Sequence, residues 1–231
     1  KLPDKDVALL KRLYDGGVSY NDHEIGRLIA ELKARNLYEN SLIIITSDHG
    51  EEFQEHGKFI HAQPYEECSA VPLLIKRPYM KSAGEVIDKP VEHIDLLPTV
   101  LKSGGFNIPD HLQGESLFPE DLGKASSPAE ALMQHKHFRS VYALRKDNFK
   151  IVYNTDNEHT ELYNLAEDPG ETANIASSHH NIVSDLTDTL LKLLKENNDL
   201  KTELASKKVE HKGNLLSDEE KNRLRSLGYT K

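Results

Sequence analysis

The chain has 231 residues, 38 acidic against 29 basic side chains for a formal charge of −9, and 37% hydrophobic residues. This suits a globular α/β unit with a small appended subdomain, and the negative balance argues against a general nucleic-acid or anionic-membrane surface. No apolar run approaches the roughly 18 residues that a membrane span requires, and the single cysteine, Cys68, permits no internal disulfide.

Residues 4–35 read as a helix, with Ile25, Leu28, Ile29 and Leu32 on one apolar face and Gly16 and Gly17 weakening its middle. Asn36 to Asn40 supply a turn. Residues 42–46 then form a β-branched apolar run that suits a strand buried on both faces of a parallel sheet. It ends in Ser47-Asp48-His49-Gly50, and residues 47–64 read as a long polar loop at the sheet's carboxyl edge, where open α/β sheets place their sites. Val71 to Lys76 reads as a second buried strand closed by Pro78. Asp95 is placed to cap a short helix through Leu96, Leu97, Val100 and Leu101, with Gly104 ending it.

Residues 107–130 carry prolines, glycines and serines without a periodic face and read as a connecting loop. Ser140 to Arg145 and Phe149 to Asn154 flank a short turn as a hairpin, Glu161 to Leu165 adds a third strand, and Pro169-Gly170 turns the chain. Ile182, Leu186, Leu190, Leu193 and Leu194 mark a final helix over 181–196. The run 201–212 is charged.

The chemistry concentrates in residues 47–66. A carboxylate and an imidazole at a strand end, Asp48 and His49, are able to bind a divalent cation, with Gly50 permitting close backbone approach. The competing reading is a helix cap with a packed histidine. Lys58 is a candidate contact for an anionic substrate, although loop lysines are commonly just solvated. His56 reads as structural hydrogen bonding and Cys68 as a small buried side chain. His135 and His137 share an i, i+2 spacing that imitates a metal pair, but no third ligand accompanies them. His179 and His180 read as a polar entry to the last helix.

Residues 41–78, SLIIITSDHGEEFQEHGKFIHAQPYEECSAVPLLIKRP, resemble the second metal-binding segment of the sulfatase family, within the alkaline phosphatase-like superfamily, and YNDHEIGRLIAELKARNLYENSLIIITSDHGEE resembles the family's helix, turn and strand leading into Ser-Asp-His-Gly. PYEECSAVPLLIK, VEHIDLLPTVLKSGGFNIPDHLQGESL, ALRKDNFKIVYN, ELYNLAEDPGETANIA and LSDEEKNRLRSLGYTK resemble further family segments in the family's order. The resemblance implies a three-layer α/β/α core, of which residues 1–130 would be the C-terminal part, and an antiparallel sheet-and-helix subdomain over 131–231. It implies that Asp48 and His49 hold a divalent metal. Calcium is the family's ion, and His49, where many members have Asn, admits manganese, zinc or magnesium as alternatives. His61, twelve residues on and ahead of Tyr65-Glu66, takes the place of a sulfate-contacting cation or imidazole, or acts as leaving-group acid; its rival role is ligand to a second metal.

The family's Cys/Ser-x-Pro-Ser/Thr-Arg segment, whose Cys or Ser becomes formylglycine, does not occur here, and Cys68 lies outside any such motif. The chain is therefore expected to be the C-terminal portion of a longer sulfate-ester hydrolase acting on a small molecule or glycan, and to be inactive alone. A phosphodiester, phosphonate or phosphate monoester hydrolase of the same superfamily is the first alternative, a non-catalytic fragment or binding module the second. The residues leave localisation open; family resemblance makes a periplasmic or secreted setting an expectation.

Overall fold

The computed structural model describes residues 1–61, 63–121 and 140–206, and the backbone of 130–134. His135, His137 and residues 207–212 of the charged run lie outside the described residues. The chain divides into two compact units, Lys1–Leu190 and Leu191–Lys231.

The first unit opens with α1 (Asp4–Ala34), one unbroken helix in which an added Cβ at Gly16 or Gly17 would meet no neighbour. None of its residues is buried; Ile25, Ile29 and Leu32 are half-buried. β1 (Ile43–Thr46) follows. Its neighbour is β4 (Leu73–Lys76), and the pairing is antiparallel, with Ile44 opposite Ile75. The expectation of a parallel sheet buried on both faces is thus corrected. A β-branched run encodes extended backbone but not the direction of its partner, and with one neighbouring strand among the described residues Ile43 to Ile45 are only half-buried.

The segment between these strands is more structured than a polar loop. β2 (Glu52–Phe53) and β3 (Phe59–Ile60) form a small hairpin, and α2 (Glu66–Ser69) is a single helical turn. α3 (Leu96–Ser103) ends at Gly104 as expected. Asp95 precedes it, but its carboxylate does not cap α3. Instead it accepts the backbone N–H groups of Glu92 and Glu115 at 2.8 Å each, tying the preceding 3-10 turn to a later loop.

The four-stranded antiparallel sheet runs in the order β5 (Glu130–Gln134), β6 (Val141–Lys146), β7 (Phe149–Asn154), β8 (Thr160–Asn164). The hairpin turn places Asp147 at φ 54°, a left-handed conformation that aspartate tolerates. β5 begins at the end of the stretch read as a loop, and its other four residues were assigned no element. The strand period of two separates the faces. Leu144, Ile151 and Leu162, paired across strands, are fully buried on one face. On the other, Ala143, Val152 and Tyr163 form a core with Tyr65 from the loop before α2. α4 (His180–Ser206) buries Leu186 and Leu190. No helix among the described residues is long and apolar enough to cross a membrane.

Leu144 and Leu162 have no exposed surface. Leu144→Ala or Leu162→Ala in this chain is expected to lower the unfolding free energy by about 2–5 kcal/mol in urea titrations. Leu28→Ala, on the open face of α1, should change it by less than about 0.5 kcal/mol.

Candidate functional site

β1 delivers the chain into the turn Ser47–Gly50. The Ser47 hydroxyl donates to the His49 carbonyl at 2.7 Å, and the His93 ring lies 2.8 Å from the Ser47 carbonyl, bracing the turn from both sides. Gly50 donates its N–H to the Cys68 carbonyl at 2.8 Å, and a Cβ there would sit 2.0 Å from the Glu67 carbonyl oxygen. No side chain fits that approach, so glycine is required by proximity.

His49 Nδ1 lies 2.8 Å from the Gly50 carbonyl. A carbonyl only accepts, so Nδ1 carries a proton, and in the neutral ring the lone pair that a metal ligand needs is on Nε2. The His49 ring stacks on His61 with centroids 3.7 Å apart and planes 22° from parallel. His61 Nδ1 stands 3.4 Å from Glu51 Oε2. Ligand atoms of His49, Glu51 and His61 all lie within 4.8 Å of one another, a donor set compatible with a divalent cation. Asp48 is at the margin: its Oδ2 is 3.7 Å from His49 Nε2, its Oδ1 accepts the His49 N–H, and its side chain is 88% exposed.

The hairpin of β2 and β3 is built around Glu52, fully buried. Its carboxylate accepts the backbone N–H of Lys58 at 2.9 Å, that of His56 at 3.2 Å, and the Gln63 amide at 3.0 and 3.1 Å. Ile60, immediately before His61, is held at φ 69°. That conformation is costly for a β-branched residue, on the order of 1–3 kcal/mol, and persists only where surrounding contacts enforce it. Lys58 lines a cavity of about 140 Å³ with Gln63, Tyr65, Asn154, His159 and Glu161.

His56 is a brace. Its Nδ1 lies 2.6 Å from Glu67 Oε1, its Nε2 is 3.0 Å from the Glu171 carbonyl, and its ring stacks on Tyr65 at 3.7 Å. Burial disfavours the imidazolium, but the hydrogen bonds to Glu67 and Glu171 and their charges outweigh it and raise the pKa above the ordinary value. Cys68 is buried, and burial pushes its thiol up to about 11, which suits an inert core side chain.

Sequence reasoning located His49 and His61, which the fold brings face to face, and Asp48 beside them. It missed Glu51. The available signal was its place two residues after His49 in the same polar, carboxylate-rich loop. It also passed over Glu52 and Lys150, whose buried charges organise the loop and α2.

A mixed α/β fold with a strand-end turn converging two imidazoles and a carboxylate defines a class of proteins with a metal-compatible site at a sheet edge. The Sulfatase family model matches residues 6–106. Arylsulfatase K of Bos taurus is 30% identical over 207 residues, 84% of this chain and 38% of that relative. N-acetylglucosamine-6-O-sulfatase of Bacteroides thetaiotaomicron is 32% identical over 165 residues, 67% of this chain and 30% of that relative. The phosphonate monoester hydrolase of Silicibacter pomeroyi shares the fold at TM-score 0.71 and 29% identity, covering 85% of this chain and 43% of that one. The chain belongs to the sulfatase/alkaline phosphatase-like superfamily. It spans 30–38% of the length of the two curated relatives.

Two outcomes follow. Gly50→Ala is expected to displace the turn from α2 and weaken divalent-cation binding by more than about tenfold in calorimetric titration of the full-length protein. His56 binds its proton more tightly when folded, so its stabilisation is complete below the unfolded pKa of about 6.5 and is lost as pH rises through the raised folded-state value. The stability difference between wild type and His56→Gln should therefore be largest at acid pH and shrink in alkaline buffer; a constant difference from about pH 5 to about pH 9 would contradict the brace.

Proposed function

We propose that this chain is the C-terminal portion of a metal-dependent sulfate-ester hydrolase, with 1–130 forming part of a three-layer α/β/α core and 131–231 the sheet-and-helix subdomain. The carrying observation is the His49–Glu51–His61 cluster at the end of β1, within the segment that the Sulfatase model matches. Asp48 and His49 hold the ion in this proposal, and Glu51 is placed to join them. With His61 assigned to substrate, two carboxylates and one imidazole remain, a set that calcium accepts. If His61 also binds the ion, the second imidazole favours manganese or zinc, and magnesium least of the four. When bound, the ion supplies positive charge that orients a sulfate oxygen and offsets charge developing at the reacting centre.

His61 contacts the substrate oxyanion or gives a proton to the departing oxygen, and its position is set by the Glu52-centred hairpin, the Ile60 backbone and the His49 stack. Lys58 contributes a cation for an anionic group of the substrate. A formylglycine from polypeptide outside this sequence supplies the nucleophile. The substrate is a sulfated small molecule or glycan. This is supported by likeness to the N-acetylglucosamine-6-O-sulfatase and to a protein solved in complex with its substrate D-glucosamine-2-N,6-O-disulfate, at TM-score 0.60, 29% identity, and coverage of 77% of this chain and 39% of that one.

A second reading exchanges sulfate for a phosphonate monoester, favoured by the likeness to the Silicibacter pomeroyi enzyme. Both esters ask for a cation and donors around a tetrahedral centre.

The test is turnover by the full-length protein of 4-nitrophenyl sulfate and 4-nitrophenyl phenylphosphonate. Sulfate hydrolysis is expected to stop on chelation and return with a divalent ion. His49→Ala or Asp48→Ala should lower kcat/KM by at least about 100-fold, beyond the 10–100-fold typical of losing an outer partner. Turnover of the phosphonate alone would replace the sulfate reading, and undiminished turnover in both variants would remove the metal assignment.

A further inference from the structure

We infer that Lys150 is a positioning residue: from the antiparallel sheet its ammonium fixes α2, and through α2 it fixes the strand-end turn that carries His49 and Glu51. The inference rests on the reading that this turn binds a divalent ion.

Lys150 sits in β7 between Phe149 and Ile151, opposite Arg145 on β6 and Tyr163 on β8, and is fully buried. Its Nζ lies 2.9 Å from Glu66 Oε1 and 3.3 Å from Ser69 Oγ, the first and last residues of α2. It also lies 3.0 Å from Glu171 Oε1. The other oxygen of Glu171 accepts the Glu66 backbone N–H at 2.6 Å, at the start of the helix. One buried cation thus grips both ends of a single helical turn and the carboxylate that caps it. Such a turn has too few internal hydrogen bonds to hold its own place.

The opposite side of α2 bears on the site. The Cys68 carbonyl receives the Gly50 N–H, and the Glu67 carbonyl lies where a Gly50 side chain would be. His49 and Glu51 flank Gly50, so a shift of α2 transmits to both ligand side chains without any intervening flexible group. A buried ammonium needs acceptors for its three N–H groups wherever it lies, and here those acceptors are the two ends of α2 and the carboxylate that caps it. Its simultaneous hold on Glu66, Ser69 and Glu171 fixes the orientation of α2 as well as its depth.

The test is made on the full-length protein by isothermal titration with calcium and with manganese, each alone, alongside hydrogen exchange of the peptide containing Gly50. Lys150→Met is expected to weaken binding of whichever ion the wild type takes by at least about tenfold and to speed exchange at Gly50. Arg77→Leu removes a different buried cation, paired with Glu120, and serves as control: the melting temperature falls while affinity stays within about twofold. If Lys150→Met does not fold, Glu171→Gln loosens the same grip and should act in the same direction. Affinity and Gly50 exchange unchanged in a folded variant would overturn the inference while leaving the metal reading intact. If the wild type binds neither ion, the metal reading falls, and unchanged Gly50 exchange in the variant would still overturn the role of Lys150 in fixing the turn.

Discussion

The structure of the site depends on the seating of Gly50 against α2. Backbone meets backbone there, with the Gly50 N–H on the Cys68 carbonyl and no room for a Cβ beside the Glu67 carbonyl. This contact joins the end of β1 to a helical turn 16 residues further along the chain, and it determines where the side chains on either side of Gly50 point. His49 turns its Nδ1–H to the Gly50 carbonyl, which leaves Nε2 for a ligand. Glu51 is brought beside His61. A hydrogen bond between two main-chain groups has few ways to relax, so it holds these positions more tightly than a pair of long side chains would.

What anchors the region is charge buried with partners. Glu52, Lys150 and Glu171 are all withdrawn from water. Each would be costly alone, since removing one partner from a buried pair typically costs about 3–5 kcal/mol. Here Glu52 meets the Lys58 and His56 N–H groups and the Gln63 amide, while Lys150 meets two carboxylates and a hydroxyl. Burial raises the Glu171 carboxyl above its ordinary pKa, and the nearby Lys150 charge opposes that rise without cancelling it. Apolar side chains would fill the same volume, but they would not set the orientation of α2 or the path of residues 52–63. Direction is what these interactions supply.

The sequence made the frame legible where pattern is strong. Helical spacing marked α1 and α4, β-branched residues marked β1, and the polar break between residues 145 and 149 marked the hairpin of β6 and β7. Strand direction was not legible, because a period of two carries no sign, and β1 proved antiparallel to β4. α2 is too short for a 3.6-residue period to register. It exists because Tyr65 accepts the Cys68 and Ser69 N–H groups and Glu171 caps its start, and the latter partner lies 105 residues away. Asp48 and His49 were found by their motif, whereas Glu51 and Lys150 required the fold: the first to show which loop carboxylate faces His61, the second to show that a lysine within a strand was an anchor instead of a solvated face. Lys58 was singled out as a loop cation, and the cavity it lines is shared with β7 and β8.

Under the proposed function one site serves both a cation and an ester, and the stacked histidines bear on how. His49 is fixed by its own backbone, so its ring plane is set before any ligand arrives. His61 lies parallel to that plane, on a backbone held in a strained conformation at Ile60, with Nδ1 toward Glu51. With a proton on Nδ1 shared with that carboxylate, the remaining ring nitrogen is the one able to act on a bound group, as an acceptor when neutral and as a donor when protonated. A reorientation of His61 would give up the stack and the Glu51 contact together. Within the proposed function, such a residue keeps one pose while its proton moves, as a leaving-group acid would, in place of a freely turning side chain that follows the substrate.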